Sequence, residues 1–282
     1  MSPKPWLSLV RSTLALCCLL FPLTLLMLVL HEGGHALDSL AHGEPVTTLY
    51  VHPFAFAGYA RPGGDWSRVS QHTSGTVVVL AVSLLVFLLL WTRRSRGRMP
   101  LANLPLAMLF PWNAIVAGVG VVFIPLRTGD YYNLMQLTGL AGWVFYVPGI
   151  LLLLLGILLF MSLLPLAGLA PEDGRSFWPI PAAFLLWGLI SLPVAYLVVP
   201  GSPIDVRYGL APEMLMTARM NPIMAGVIGV LIGALYVGVY RRIYPRLRAS
   251  LRSETTVLAW RDLRIPGILA AVSVVVGLII IT

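Results

Sequence analysis

Of the chain's 282 residues, 58% are hydrophobic and only 11% are charged. Soluble domains carry about 25% charged residues and about 45–50% apolar ones. So sparse a charged surface excludes a water-soluble globular enzyme and a disordered chain alike, and leaves an all-α polytopic membrane protein. The net charge of +8 is almost all arginine, with Lys4 the sole lysine. Because the arginines fall between apolar runs, they read as loop anchors at a membrane surface rather than as a nucleic-acid site. Cys17 and Cys18 are adjacent within an apolar run and cannot frame a disulfide-stapled fold.

Runs of about 20 apolar residues are long enough to cross a bilayer as helices. About seven are expected: Thr13–Leu40, Thr73–Trp91, Leu101–Ile124, Leu140–Leu166, Phe177–Val199, Ile223–Tyr240 and Ile265–Ile281. The first follows Lys4 and Arg11 as a signal peptide would. It is too long for one, has no small-residue cleavage site, and is expected to be retained. Arginine clusters follow the second run (Arg93, Arg94, Arg96, Arg98) and the sixth (Arg241, Arg242, Arg246, Arg248, Arg252). By the positive-inside rule the N-terminus is cytoplasmic and the C-terminus outside. In the fifth loop, Pro203, Pro212 and Pro222 predict turns.

The first run ends in His31-Glu32-Gly33-Gly34-His35. Helix positions i and i+4 share a face, so both imidazoles can meet one Zn²⁺. Glu32 lies beside them, placed to take a proton from a water that the ion polarises. Ionisable groups at the end of an apolar helix are costly in a membrane and mark function. A catalytic zinc needs a third protein ligand. Asp130 follows the third run and reaches the same leaflet in this topology, so it is the first choice. Asp38, at i+7 from His31, is the alternative ligand, or else a group that orients an imidazole. His42, His52 and His72 complete the set of five histidines and are expected as polar residues near the site's mouth.

Between the first two runs, Thr47–Tyr59 mixes β-branched and aromatic residues and predicts an interfacial hairpin. Tyr50, Phe54, Phe56 and Gly58 are its candidates for docking a substrate by strand addition. Ser74-Gly75 opens the second run as a cap or a close helix contact.

The segment His31 to Val46 resembles the site-2 protease family of intramembrane zinc metalloproteases, in its compact bacterial subgroup without an inserted peptide-binding domain. Thr128-Gly-Asp-Tyr-Tyr-Asn-Leu-Met-Gln-Leu-Thr-Gly139 looks like the counterpart of the family's third-ligand segment. The resemblance implies zinc ligation by His31, His35 and Asp130, catalysis by Glu32, and a three-helix metalloprotease core. It covers residues 13 to 140, so 1–140 is expected as the metalloprotease core and 141–282 as further spans of unassigned role.

The expectation is therefore a zinc endopeptidase carrying one Zn²⁺ per chain. It would sit in a bacterial cytoplasmic (inner) membrane, act on membrane-protein segments, and hold its active site toward the extracytoplasmic side. Two other readings remain. One is a non-proteolytic, metal-stabilised scaffold, which would have no need of the base Glu32. The other is an ion transporter using the His/Asp cluster, which would spread polar groups over several spans.

Overall fold

The computed structural model describes residues 5–52, 57–62, 68–94, 103–121, 129–170, 172–202, 205–206, 209, 211–243 and 258–280. The elements in chain order are α1 (Pro5–Ala41), β1 (Val46–His52), β2 (Ala57–Pro62), α2 (Val69–Arg94), α3 (Leu104–Gly120) and α4 (Asp130–Thr138). Then follow α5 (Trp143–Leu163), α6 (Pro179–Val198), α7 (Ala211–Leu235) and α8 (Arg264–Ile280). Within the described residues, each expected apolar run overlaps one of these helices. Five of them are long and apolar enough to cross a membrane, while Leu104–Gly120 is apolar but shorter.

The molecule's exterior is what a bilayer solvates. Leu84, Leu85, Leu88 and Leu89 on α2 and Leu151, Leu154 and Leu155 on α5 are all exposed. In water such a surface would aggregate. The interior is built around α1, which packs against α2, α3, α6, α8 and both strands. A single buried core runs from Leu16 on α1 through Phe160 on α5 to Ala270 on α8, so the two halves of the chain share it.

Within lipid, helices associate by close packing over small residues. On the α3–α5 contact, a Cβ on Gly118 would lie 2.6 Å from the Gly149 carbonyl oxygen, and one on Gly156 would lie 2.8 Å from that of Pro111. The α6–α7 contact corrects the turn reading at Pro212 and Pro222, while Pro203 lies outside the described residues. Pro212 and Pro222 both lie inside α7, which begins well before Ile223. Pro212 is the second residue of the helix, where the missing N–H has no partner to lose. Pro222 is accommodated by Gly188, whose Cβ would fall 2.7 Å from the Pro222 Cα.

Helix ends sort into two sets. Near the start of α1, Arg11 donates to the Leu258 carbonyl at 2.6 Å, ahead of α8, and Ser12 donates to the Gly168 carbonyl at 3.3 Å, beyond α5. At the other end, Tyr50 in β1 lies beside Ser202, beyond α6. The two strands pair antiparallel, Tyr50 opposite Tyr59 and Val51 opposite Gly58, with a register irregularity between Val46 and Thr48. The expected hairpin is thus present.

Candidate metal centre

The last turns of α1 carry His31 and His35 past the hairpin toward the start of α4. Their Nε2 atoms are 3.2 Å apart. Asp130 Oδ2 lies 3.1 Å from His31 Nε2 and 3.5 Å from His35 Nε2. Among the described residues, these three form the one group of His, Cys, Asp or Glu side chains placed to hold a metal ion.

The triangle fits a tetrahedral cation. Bonds of about 2.0–2.1 Å to imidazole nitrogen and carboxylate oxygen require donor separations of about 3.3–3.4 Å. The chemistry of the nitrogens agrees. His35 Nδ1 is 2.6 Å from the Gln71 carbonyl oxygen. A carbonyl only accepts, so Nδ1 carries a proton, and Nε2 is the nitrogen that would offer its lone pair to a cation shared with His31 and Asp130. A hydrogen bond to the ring's other nitrogen is how proteins fix a metal-binding tautomer. Asp130 supplies the negative charge. Its burial works to raise the pKa, but hydrogen bonding to His31 and His35 and the nearness of His72 outweigh that, holding the carboxyl well below the usual range. The acid is ionised, as a ligand must be.

Three elements position these groups. Asp130 is the first residue of α4 and follows Gly129, whose φ of 82° is left-handed and suits glycine. Tyr131 ties α4 down, its hydroxyl near the Thr76 side chain on α2 and its ring lying against Gly120 at the end of α3. Helix α2 closes the centre from the side. A Cβ on Gly75 would fall 2.6 Å from His35 Nε2 and 2.9 Å from His31 Cε1. One on Gly34 would fall 2.6 Å from the Ser74 carbonyl oxygen. Glu32, one residue beyond His31, is buried.

No family model, curated protein or solved structure matches the chain. The reading of the site therefore rests on its own residues.

Of the other expected site residues, Asp38 is not at the triangle. Its Oδ2 lies 3.7 Å from His42 Nδ1 and 3.9 Å from Arg68 NH2, and Arg68 in turn holds Glu44 through both guanidinium nitrogens. This ionic cluster joins the end of α1 to the start of α2. Tyr50 is buried, so it anchors the hairpin and does not face outward. Gly58 is paired within the hairpin opposite Val51. Phe54 and Phe56 lie outside the described residues.

Two contributors escape a reading of the sequence, and a third, His72, enters it only as a polar residue near the site's mouth. The Gln71 carbonyl and the Tyr131 ring act through contacts between distant segments. His72 is buried, with Nδ1 3.9 Å from Asp130 Oδ1, and it faces the triangle from α2. The crowding of all five histidines between positions 31 and 72 is the one sequence signal for it. Beside His72 opens a cleft of about 460 Å³, lined also by Asn133, Gln136 and Leu137.

Proposed function

We propose that the protein is a membrane-embedded zinc endopeptidase that cleaves membrane-protein segments near one surface of the bilayer. The observation that carries this reading is the triangle of His31 Nε2, His35 Nε2 and Asp130 Oδ2, with the buried Glu32 following His31 directly on α1. Two imidazoles and one carboxylate are a donor set that suits Zn²⁺, and three protein ligands leave a coordination position open. Zinc bound there supplies a Lewis acid for a peptide carbonyl and acidifies water to a pKa of about 7.

The chain's own residues do the rest. His31, His35 and Asp130 hold the ion. Gln71 keeps His35 in the required tautomer through its backbone carbonyl. Glu32 takes the proton from the attacking water and delivers it to the leaving nitrogen. A structural scaffold has no use for that base one residue from a ligand, and a transporter would spread polar groups over several spans. The arginine-bearing loops put the N-terminus in the cytoplasm and the metal centre toward the extracytoplasmic face. A bacterial inner membrane fits that arrangement.

The test is metal analysis together with cleavage of a fluorogenic apolar peptide by purified wild type and Glu32→Gln. Glutamine keeps the shape but cannot accept the proton. One zinc per chain in both proteins, with cleavage at least ~10²-fold slower in the variant, supports the reading. An equally active variant, or a wild type that cleaves no membrane-derived peptide, overturns it.

A further inference from the structure

Helix α4 does more than deliver Asp130. Asn133 and Leu137 stand at i+3 and i+7 from it on the same face, and Gln136 stands at i+3 from Asn133, one step further round. The same three residues, with His72 opposite, line the cleft that opens beside the metal centre. Asn133, Gln136 and Leu137 are exposed, and α4 buries none of its residues. Two carboxamides in a row on an otherwise apolar protein therefore face open space next to the ligands. Packing does not account for them.

A carboxamide carries one carbonyl acceptor and two N–H donors, which is the complement of a peptide group. Side chains of this kind pair with an extended backbone whatever its sequence. From Asp130 to Leu137 the helix rises about 10 Å. That length matches about three residues of an extended chain. Leu137 at the far end offers an apolar contact to one substrate side chain.

We infer that α4 is a rail for the substrate backbone: Asn133 and Gln136 hydrogen-bond the peptide groups of an unwound, apolar polypeptide segment leading away from the metal centre, against a far wall formed by His72. This rests on the endopeptidase reading, since it assigns that reaction's binding residues. It commits to a polypeptide rather than a lipid headgroup. Asn133, Gln136 and Leu137 present no side-chain charge to a phosphate, and peptide groups use both the donors and the acceptor.

The experiment uses zinc-loaded full-length Glu32→Gln protein in detergent. The probe is a fluorescein-labelled eleven-residue peptide of leucine, alanine and glycine flanked by lysines. Its dissociation constant is read by anisotropy with and without Asn133→Leu and Gln136→Met. Each loss should weaken binding about 5- to 10-fold, the worth of a hydrogen bond or two. Zinc stoichiometry should stay unchanged, and Asn133→Gln, which restores a carboxamide, should recover part of the affinity. In proteins with Glu32 intact, the same substitutions should raise KM and leave kcat alone.

Unchanged peptide affinity in the double variant, or no peptide binding in either protein, overturns the rail. Loss of zinc in the double variant also overturns it, because the residues would then act through the metal. Weakened binding by a protein that cleaves nothing sinks the endopeptidase reading and leaves the rail standing. Normal cleavage with unchanged KM does the reverse.

Discussion

Gly75 is the position where one methyl group should separate the metal centre from the fold around it. An alanine Cβ there would lie 2.6 Å from His35 Nε2, and 2.9 Å from both His31 Cε1 and the His31 carbonyl oxygen. Ordinary contact begins at 3.4 Å. The His35 ring must therefore retreat by about 0.8 Å, whereas a metal–ligand bond tolerates about ±0.2 Å. The His31 carbonyl belongs to α1 and cannot give way without moving that helix. Gly75→Ala should lower zinc affinity at least ~100-fold, the upper end of what disturbing a ligand's support costs. Helix propensity pushes the opposite way, favouring alanine by about 1 kcal/mol. The control is Gly33→Ala on α1, where the new methyl meets nothing within 4 Å. Zinc content after dialysis against a competing chelator, with helix content followed by circular dichroism, distinguishes the two. A Gly75→Ala protein that keeps zinc as firmly as Gly33→Ala would refute the close-contact argument.

Asp130→Asn removes the ionised ligand while keeping its shape, so zinc retention under the same dialysis should drop sharply, and full retention would remove Asp130 from the site. Asp38→Asn should leave zinc stoichiometry unchanged, because its neighbours are His42 and Arg68; loss of the metal would show that the ionic cluster supports the triangle. His52 is fully buried in β1, and burial pushes its pKa down to about 4, against about 6.5 in an unfolded chain. The unfolded state binds that proton first as the pH falls, so stability is complete above about pH 6.5 and declines toward pH 4, by roughly 3 kcal/mol at most. Thermal unfolding at pH 7 and pH 5 should show a larger loss for wild type than for His52→Gln, and parallel losses would contradict the burial argument. Single cysteines at the exposed positions Glu172 and Val206 should label from the cytoplasm and from outside respectively; the opposite pattern would invert the orientation and leave the metal chemistry intact.

The helices and the two histidines were legible because their signals are local. Apolar run length marks a span, and i, i+4 spacing marks a shared face. Asp130 was reachable because topology narrows which segments meet at one leaflet. The course of α7 was not, since proline statistics describe turns in water. Gly188 on α6, far away in sequence, leaves room for the helix to pass closely at Pro222. Gln71 could not be read at all, for it contributes a backbone oxygen and its residue type is immaterial. Asp38 shared the expected helical face, but it lies among Arg68 and His42 and not at the triangle.

Helix α1 is 37 residues long, which at 1.5 Å per residue is about 55 Å, against about 30 Å of hydrocarbon in a bilayer. Arg11 near its start hydrogen-bonds the Leu258 carbonyl and sits over the exposed Trp260 ring, the kind of cation-and-aromatic pairing that marks a headgroup boundary. Twenty residues onward, about 30 Å along the axis, is His31. The excess length of α1 thus acts as a depth gauge. On the endopeptidase reading, it lifts the two histidines to the far edge of the oil, where water is at hand and only the outermost turn of a substrate helix would have to unravel to reach them. Bonds would then be chosen by their distance from the membrane surface before any side chain is inspected.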